Sequence, residues 1–273
     1  MRAGAAALLA AGALAAAVTA EYQTQMEAWK RAREASLKGS WLQVAGLFWL
    51  REGANRFGTD PGSDIVLPAG AAHAGSFELR GGQVTVTMDG ATRTLRHDSA
   101  DAAKVGRLAL FVIERGGRFG IRMKDPESAY LRNFHALEYY PLSDQWRITA
   151  RFVAEPRKIP ILNVLGQTEQ SECPGYAAFR VNGQELRLYP ILEEPGAKQL
   201  FYIFRDQTSG KETYGAGRFL YSDLPKDGQV VLDFNKAYNP PCAFTDYATC
   251  PLPPKENHLP LRVDAGEKKY GRH

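Results

Sequence analysis

Short strands recur roughly every ten residues along most of this chain, with no helical segment between them. Three pairs of strands flank turn dipeptides: Gly81-Gly82, Gly116-Gly117 and Asn182-Gly183. Such dipeptides readily adopt the positive φ angles that tight hairpins need. The pattern therefore predicts a mainly β protein, an antiparallel sandwich or barrel of short strands and hairpins.

The expected strands cover residues 41–50, 64–68, 76–79, 83–88, 107–114, 118–123, 146–153, 159–165, 178–181, 185–189, 200–205, 218–221 and 230–234. The segment HALEYYPLS interrupts this pattern. We therefore expect an N-terminal β lobe over residues 39–135 and a C-terminal β lobe over residues 136–273. The two lobes are expected to pack into one unit, because a chain of this length can bury a sizeable core.

One α-helix is expected ahead of the strands, over residues 21–38. Its apolar and aromatic side chains recur at helical spacing with charges between them: Tyr22, Met26, Trp29 and Arg33. Gly39 follows, a residue type that often ends helices. We interpret this segment as a lid or bracing helix; the alternative is a helix that binds a partner.

The first twenty residues have the organisation of a secretory signal peptide. Arg2 forms a short positive region, Ala5 to Ala17 an apolar region, and Val18-Thr19-Ala20 a cleavage site of small residues. The apolar run is too short and too rich in alanine for a membrane span of about 20 strongly apolar residues. We expect a periplasmic or secreted protein that begins at Glu21, the alternative being a buried N-terminal helix.

The charge of the chain points to no polyanionic partner. Its net charge is +4, and the lysines and arginines are scattered among acidic residues. Neither nucleic-acid binding nor membrane binding is predicted from this distribution.

The chain has three cysteines. Cys242 and Cys250 lie in one loop flanked by prolines, and in an exported protein such a pair is expected to form a disulfide. Cys173 lies in the segment ECPGY, which predicts a turn and a free thiol. A zinc site is not predicted, because the spacing of the cysteines with His258 and His273 matches no common zinc pattern. No cofactor is expected.

The C-terminal block from Tyr214 to Pro254 is unusually rich in polar and aromatic residues. Polar residues placed at the ends of strands and in loops often carry function. We therefore expect a concave site for a small polar or anionic ligand, formed by Arg205, Arg218, Asp233, Asn235, Tyr238 and Asn239. The alternative is that these residues form ion pairs and turns that brace loops.

A hydrolase is the second functional hypothesis. Asp206 and Asp233 could act as a general acid and base of the glycosidase kind, provided that both carboxyl groups face one substrate bond. The third hypothesis is a structural or interaction protein without a small-molecule site. Of the three, ligand binding is favoured.

Several motifs carry a family resemblance: GLFWLREGANRFGTDPGSDIVLP, GIRMKDPES, YGAGRFL, LDFNKAYNPPCAF and ATCPLPPKEN. Together they resemble the bacterial and archaeal family called domain of unknown function 1684, over residues 41–270. The resemblance implies little about activity, since the family name records that none is assigned.

Residues 57–79 are also similar to the start of forkhead-associated domains, through Gly58, Asp64, Ile65, Leu67 and His73. Thr59 stands where the phosphopeptide-reading arginine of those domains is expected, so the bidentate hydrogen bonds from an arginine to a phosphate are missing. An unrelated turn and strand is the alternative.

Overall fold

A computed structural model describes residues 18–271 of the chain. The predicted signal peptide over residues 1–20 lies almost entirely outside the described residues, as does His273, so export stays a prediction. Within residues 18–271, no helix is long and apolar enough to cross a membrane.

The N-terminal helix is confirmed as α1, Ala20–Gly39. The Thr19 hydroxyl accepts a hydrogen bond from the Tyr22 backbone N–H (3.2 Å) and so caps the first turn. Tyr22, Met26 and Leu37 are buried, which docks the helix along one face. A second helix, α2, is a single turn over Ala129–Arg132.

The first half of the chain forms β1 Val44–Trp49, β2 Gly53–Gly58, β3 Ile65–Val66, β4 Gly75–Arg80, β5 Gln83–Met88, β6 Ala91–Leu95, β7 Ala102–Val105, β8 Leu108–Arg115 and β9 Arg118–Lys124. They build two sheets, in the orders β3-β2-β4-β5-β6 and β1-β9-β8-β7. One apolar cluster joins both sheets; its members include Phe57, Phe77, Leu110 and Ile121. This half is therefore a two-sheet sandwich.

The second half forms β10 Arg147–Leu162, β11 Thr168–Val181, β12 Gln184–Leu188, β13 Gln199–Phe204, β14 Arg218–Asp223 and β15 Gln229–Asp233. A four-stranded sheet has the order β12-β11-β10-β15, and β13 and β14 form a separate two-stranded ribbon, with an isolated bridge between Phe201 of β13 and Ile191. Between β15 and residue 271 the chain forms no further strand and makes short 3₁₀ turns over Phe234–Lys236, Pro241–Ala243 and Lys255–Asn257.

The β13–β14 ribbon is buried on both of its faces. Leu200, Tyr202 and Phe204 point into the core shared with the four-stranded sheet. Phe201 and Ile203 point to the opposite side, into a second apolar cluster that contains both Cys173 and Cys250. Alternate side chains of β13 thus pack into two different cores, which explains the nearly continuous apolar sequence of this strand.

The predicted hairpins are confirmed. The turn residues of β4–β5, β8–β9 and β11–β12 all have positive φ, near +50° at the first position and near +80° at the second. Asp89-Gly90 forms a further turn of this kind between β5 and β6, which the sequence analysis missed. The mainly β antiparallel fold is as predicted; within the described residues no sheet closes into a barrel.

The expected turn at Cys173 is wrong. Cys173 lies inside β11, which pairs with β10 along most of its length, and its side chain is buried. The ladder shifts register between Ala154 and Arg157, so that Pro156 and Pro174 both fall within a β-bulge. Because a bulge requires no ladder hydrogen bond from these positions, two prolines are tolerated in the middle of a long hairpin. For the same reason β10 is one bent strand rather than the two strands expected.

The apolar cores of the two halves are separate, one drawn from residues 57–123 and another from residues 146–265. The proposed lobe boundary near residue 135 stays a prediction, and so does the forkhead-associated resemblance of residues 57–79.

Candidate functional site

A cavity of about 600 Å³ lies between α1, the β13–β14 ribbon and the C-terminal loops. We call it the helix cleft. Its volume falls in the range of small-molecule sites, and apolar and aromatic side chains form most of its wall. The lining residues are Trp29, Ala32, Arg33, Ser36, Leu37, Ser40, Trp41, Arg115, Glu193, Phe201, Phe219, Tyr221, Tyr238, Pro241, Thr249, Cys250 and Pro251.

Four aromatic rings form one wall of the helix cleft. Phe201 stacks on Tyr221 with ring centroids 4.8 Å apart and meets Phe219 edge to face at 4.9 Å. Tyr221 in turn stacks on Tyr238 at 6.3 Å. These spacings are those of favourable aromatic pairs, so the wall is a pre-formed apolar surface. At its rim the Tyr221 hydroxyl donates to the exposed carboxylate of Glu193 (2.6 Å).

Arg33 anchors α1 to the C-terminal loops at the edge of the helix cleft. Its Nε donates to Glu267 (2.9 Å), its Nη2 donates to the Asn239 carbonyl (3.0 Å), and its guanidinium lies 4.5 Å from the ring centre of Tyr238. Glu267 is fully buried, and burial raises the pKa of its carboxyl although Arg33 opposes the rise. Arg33 is therefore bound within the protein and closes the cleft on that side.

Two further arginines converge on Thr249, a residue of the cleft wall; Arg115 lines the cleft and Arg122 does not. Arg115 Nε lies 3.2 Å and Arg122 Nη2 lies 3.4 Å from the Thr249 hydroxyl oxygen. Arg115 also pairs with Asp98 (2.7 Å). Arg122 packs behind Trp41, with its guanidinium 5.0 Å from the ring centre.

Arg122 is short of acceptors. Its residue is only 8% exposed, its Nε has no hydrogen-bond partner, and within residues 18–271 no carboxylate lies at ion-pair distance from it. Burial, with the charge of Arg115 as a smaller cause, lowers the pKa of Arg122 to about 10, so it stays a cation at neutral pH. An excess positive charge thus lies behind the wall of an apolar cleft, in contact with Thr249 and Trp41, which line it.

Local sequence explains how these two arginines meet. Arg115 ends β8 and Arg122 lies within β9, and the hairpin turn at residues 116–117 joins the strands. The loop that carries Thr249 comes from the other end of the chain. The cationic end of the cleft therefore exists only when the C-terminal loops pack on the first sandwich.

Cys242 and Cys250 lie beside this cationic end. They are not bonded to each other in the structure, in contrast to the expected disulfide. Their backbone N–H groups each donate to the sulfur of the other residue, at 3.1 Å and 3.4 Å, so the two side chains lie in contact. The approach of the two cysteines is as expected, and the bond between them stays a prediction.

Arg218, expected to bind ligand, instead has both terminal nitrogens bound to groups of the protein. Its Nη2 donates to Asp206 (2.6 Å) and to the Val263 carbonyl (3.0 Å), and its Nη1 donates to the Ala265 carbonyl. Both members of the ion pair are buried. The glycine before it, Gly217, has φ +96°, and a Cβ there would lie 2.4 Å from the Phe204 carbonyl oxygen. The YGAGR motif thus forms a tightly packed segment that leads into β14.

Asp233 and Asn235 form a different network, under the start of α1. The Tyr22 hydroxyl donates to Asp233 (2.7 Å), and Asn235 Nδ2 donates to Tyr22 and to the Ser143 carbonyl (2.9 Å). This network ties the helix and the β10 entry to the loop after β15. Desolvation and the Asp233 carboxylate raise the pKa of Tyr22.

The remaining predicted residues are dispersed. Arg205 is exposed and pairs through its backbone with residues 257 and 259. Asn239 is buried, and its backbone N–H donates to Glu267 (2.8 Å). Only Tyr238 lines the helix cleft. The structure therefore does not bring Arg205, Arg218, Asp233 and Asn235 into one site.

Nor does the structure bring the two candidate catalytic carboxylates together. Asp206 belongs to the Arg218 network and Asp233 to the Tyr22 network, and each already accepts short hydrogen bonds from its own partners. Within residues 18–271, no group of three histidine, cysteine or acidic side chains is placed to hold a metal ion.

Sequence reasoning missed the residues that matter most in the helix cleft. Arg122 falls within the expected strand 118–123 and Arg115 between the expected strand 107–114 and the Gly116-Gly117 turn; neither was a predicted site residue, although Arg122 lies in the motif GIRMKDPES that contributes to the family resemblance. The available signal was a charged residue in the middle of an apolar strand pattern, since a buried strand seldom carries an arginine without a purpose.

Comparison with known proteins gives a family but no activity. The family model described as protein of unknown function (DUF1684) matches residues 132–268. A solution NMR structure of an uncharacterized protein from Haloarcula marismortui is 30% identical; the match covers 53% of this chain and 82% of that chain, with a TM-score of 0.43. No curated protein matches the chain.

Proposed function

Because the chain belongs to the DUF1684 family, whose function is unknown, we propose from its own geometry that it binds a small anionic ligand with an aromatic or apolar body in the helix cleft. The proposal keeps the ligand class expected from the sequence. It moves the site to a different set of residues, of which only Tyr238 was predicted.

The observation that carries the proposal is the state of Arg122. A guanidinium has five N–H donors, and among residues 18–271 Arg122 makes a single long hydrogen bond, to a neutral hydroxyl. Burying a cation with so few acceptors costs free energy unless an anion joins it. A carboxylate, sulfonate or phosphate beside Thr249 would accept from Arg115, which lines the cleft, while the charge of Arg122 behind the wall attracts the anion.

The aromatic wall selects the rest of the ligand. Flat rings at Phe201, Phe219 and Tyr221 offer a stacking surface, and the cleft volume suits a molecule of one or two rings. Glu193 at the rim can accept a hydrogen bond from the far end of such a ligand. We expect affinity to require both the ring system and the negative charge.

We further propose that the ligand is met outside the cytoplasm. The support is the signal-peptide pattern of residues 1–20. Mass spectrometry of the protein from its native cell should show a mature N-terminus at or near Glu21. A soluble cytoplasmic form that retains Met1 would contradict export without touching the binding proposal.

The binding proposal is tested with two fluorescent probes that share an aromatic body and differ in charge. Anilinonaphthalene sulfonate is anionic and phenylnaphthylamine is neutral. We expect the sulfonate to bind at least tenfold more tightly, a difference of about 1.4 kcal/mol. Energy transfer from Trp29 and Trp41, both of which line the cleft, reports on binding at this place.

Paired variants separate the cleft from other apolar surfaces. Arg115→Gln should abolish most of the preference for the sulfonate while leaving binding of the neutral probe nearly unchanged. The matched control is Arg118→Gln, because Arg118 is an exposed arginine of the next strand that packs on Trp49 and does not line the cleft. Equal affinity for the two probes, or equal effects of the two variants, would contradict an anion site in the helix cleft.

A further inference from the structure

The two cysteines beside the helix cleft differ in access but share one local environment. Cys250 is buried and lines the cleft, whereas Cys242 is half-buried. Each sulfur accepts a backbone N–H of the other residue, at 3.1 and 3.4 Å, which places the Cys250 thiol beside the Cys242 sulfur. The backbone therefore holds the pair in contact without a covalent bond.

The surroundings favour a thiolate at Cys242. The hydrogen bond from Cys250 is the main cause that lowers the pKa of Cys242, and the Arg122 charge adds to it. The same hydrogen bond, together with burial, raises the pKa of Cys250. Partial exposure next to a positive charge is the environment in which cysteines are reactive.

Cys173 provides the contrast within the same apolar cluster. It is 1% exposed, its thiol donates to the Gly175 carbonyl (3.1 Å), and burial raises the pKa of this thiol. It has the features of an inert structural cysteine.

We propose that Cys242 and Cys250 form a redox-active pair that exchanges with disulfide compounds, with Cys242 as the attacking thiolate and Cys250 as the resolving thiol. The Cys242 thiolate attacks one sulfur of a disulfide; a bond forms to that sulfur, and the other half leaves as a thiolate. Cys250 then loses its proton to solvent and attacks the Cys242 sulfur. This second step forms the Cys242–Cys250 disulfide and releases the other half as a second thiolate. The incoming disulfide is the oxidant, so two electrons and all atoms balance.

This role differs from that of a structural disulfide staple. A staple requires only that the two sulfurs meet, whereas exchange requires that one of them be accessible and ionised. Cys242 is half-buried and its pKa is lowered by its contact with Cys250, and its partner forms part of the cleft wall. The pair therefore places redox chemistry next to a cavity large enough for a small molecule. The inference does not depend on the anion site proposed for that cavity.

Oxidised glutathione is the probe, added to the reduced full chain and followed by mass spectrometry. The wild-type protein should lose two hydrogens and retain no glutathione. Cys250→Ser should trap one glutathione on Cys242, because the resolving thiol is missing. Cys242→Ser should react at least tenfold more slowly, whereas Cys173→Ser, the matched control, should behave as the wild type does.

A measurement on the unaltered protein guards against variants that fail to fold. Limited alkylation with iodoacetamide, mapped by peptide mass spectrometry across pH, should label Cys242 first and with a midpoint below the usual cysteine pKa of about 8.5. Labelling of Cys173 before Cys242, a Cys242 midpoint at or above that value, or glutathione trapped on Cys250 instead would overturn the proposal.

Discussion

Two buried arginines, Arg218 and Arg122, have opposite surroundings. The terminal nitrogens of Arg218 donate to the Asp206 carboxylate and to backbone carbonyls of the C-terminal loops. Within the described part of the chain, those of Arg122 reach only the Thr249 hydroxyl, at 3.4 Å. The Nε of each lacks a partner, so the contrast lies in the terminal nitrogens and in the presence or absence of a carboxylate.

The contrast separates a charge that supports the fold from a charge kept for a ligand. A buried ion pair with satisfied hydrogen bonds is self-contained, and removing one member leaves the other stranded. A buried cation without a carboxylate partner among the described residues already carries part of that cost in the folded protein. Such a group stabilises nothing by itself, and its retention next to a cleft calls for a functional explanation.

The largest effect is expected from Asp206→Ala. The variant leaves the Arg218 guanidinium in the core without its ion-pair partner, so the free energy of unfolding should fall by about 3 to 5 kcal/mol. Urea denaturation measures the loss. Asp264→Ala is the control, because it removes an exposed partner of the exposed Arg262 and should change little. Equal effects of the two substitutions would mean that Arg218 gains nothing from its buried partner.

Next in size is Arg33→Met, which removes the ion-pair partner of the buried Glu267. We expect a loss of about 2 to 3 kcal/mol, smaller than for Asp206→Ala because Glu267 keeps the Asn239 N–H and can take a proton. The double variant with Glu267→Gln should recover most of this loss. Failure of that rescue would show that Arg33 acts through packing on Tyr238 rather than through charge.

The stability of the single variant Arg33→Met should depend on pH. Without Arg33 the pKa of Glu267 rises further above its ordinary value of 4.5, so the folded state binds the proton more tightly than the unfolded state does. Stability then falls as pH rises from about 4.5 through the folded pKa. Denaturation curves should therefore show the gap between wild type and Arg33→Met narrowing as pH is lowered from 7 to about 5, and a constant gap would contradict this.

The opposite sign is expected for Arg122→Met. Because Arg122 has no carboxylate partner among the described residues, its removal should leave stability unchanged or raise it by up to about 1 kcal/mol. Binding of anilinonaphthalene sulfonate should weaken about tenfold. Denaturation and fluorescence titration on the same sample measure both. A loss as large as that of Asp206→Ala would remove the distinction between the two arginines.

The smallest effect is expected at a third arginine, Arg107, whose exposed guanidinium holds the buried carboxylate of Asp125 through two nitrogens (2.8 and 3.1 Å). Arg107 holds the pKa of Asp125 below its ordinary value of 3.8, so this stabilisation is present above pH 3.8 and is lost as pH falls through the folded pKa. Asp125→Asn should thus show a small loss near neutral pH and match the wild type near pH 2. A gap that grows in acid would reverse the assigned sign.

Local features of the sequence were sufficient for much of the fold. The helical spacing before Gly39 and the Gly-Gly and Asn-Gly turns depend on neighbours in sequence, and the structure confirms them. The ECPGY segment misled because proline and glycine usually mark turns, while here a bulge in the partner strand accommodates them. That compensation comes from residues about twenty positions away, beyond the reach of a local pattern.

The candidate site shows where prediction from sequence ends. Sequence by itself determined the β architecture, the leading helix, the family and the close approach of Cys242 to Cys250, because each depends on residue type and short spacing. Only the tertiary structure decided which arginine is satisfied, since Arg218 finds carbonyls 45 to 49 residues away, while Arg122 finds only Thr249, 127 residues away. Residue types and spacings specify which side chains can be buried. Which buried polar side chains lack a partner is decided only when distant segments pack together.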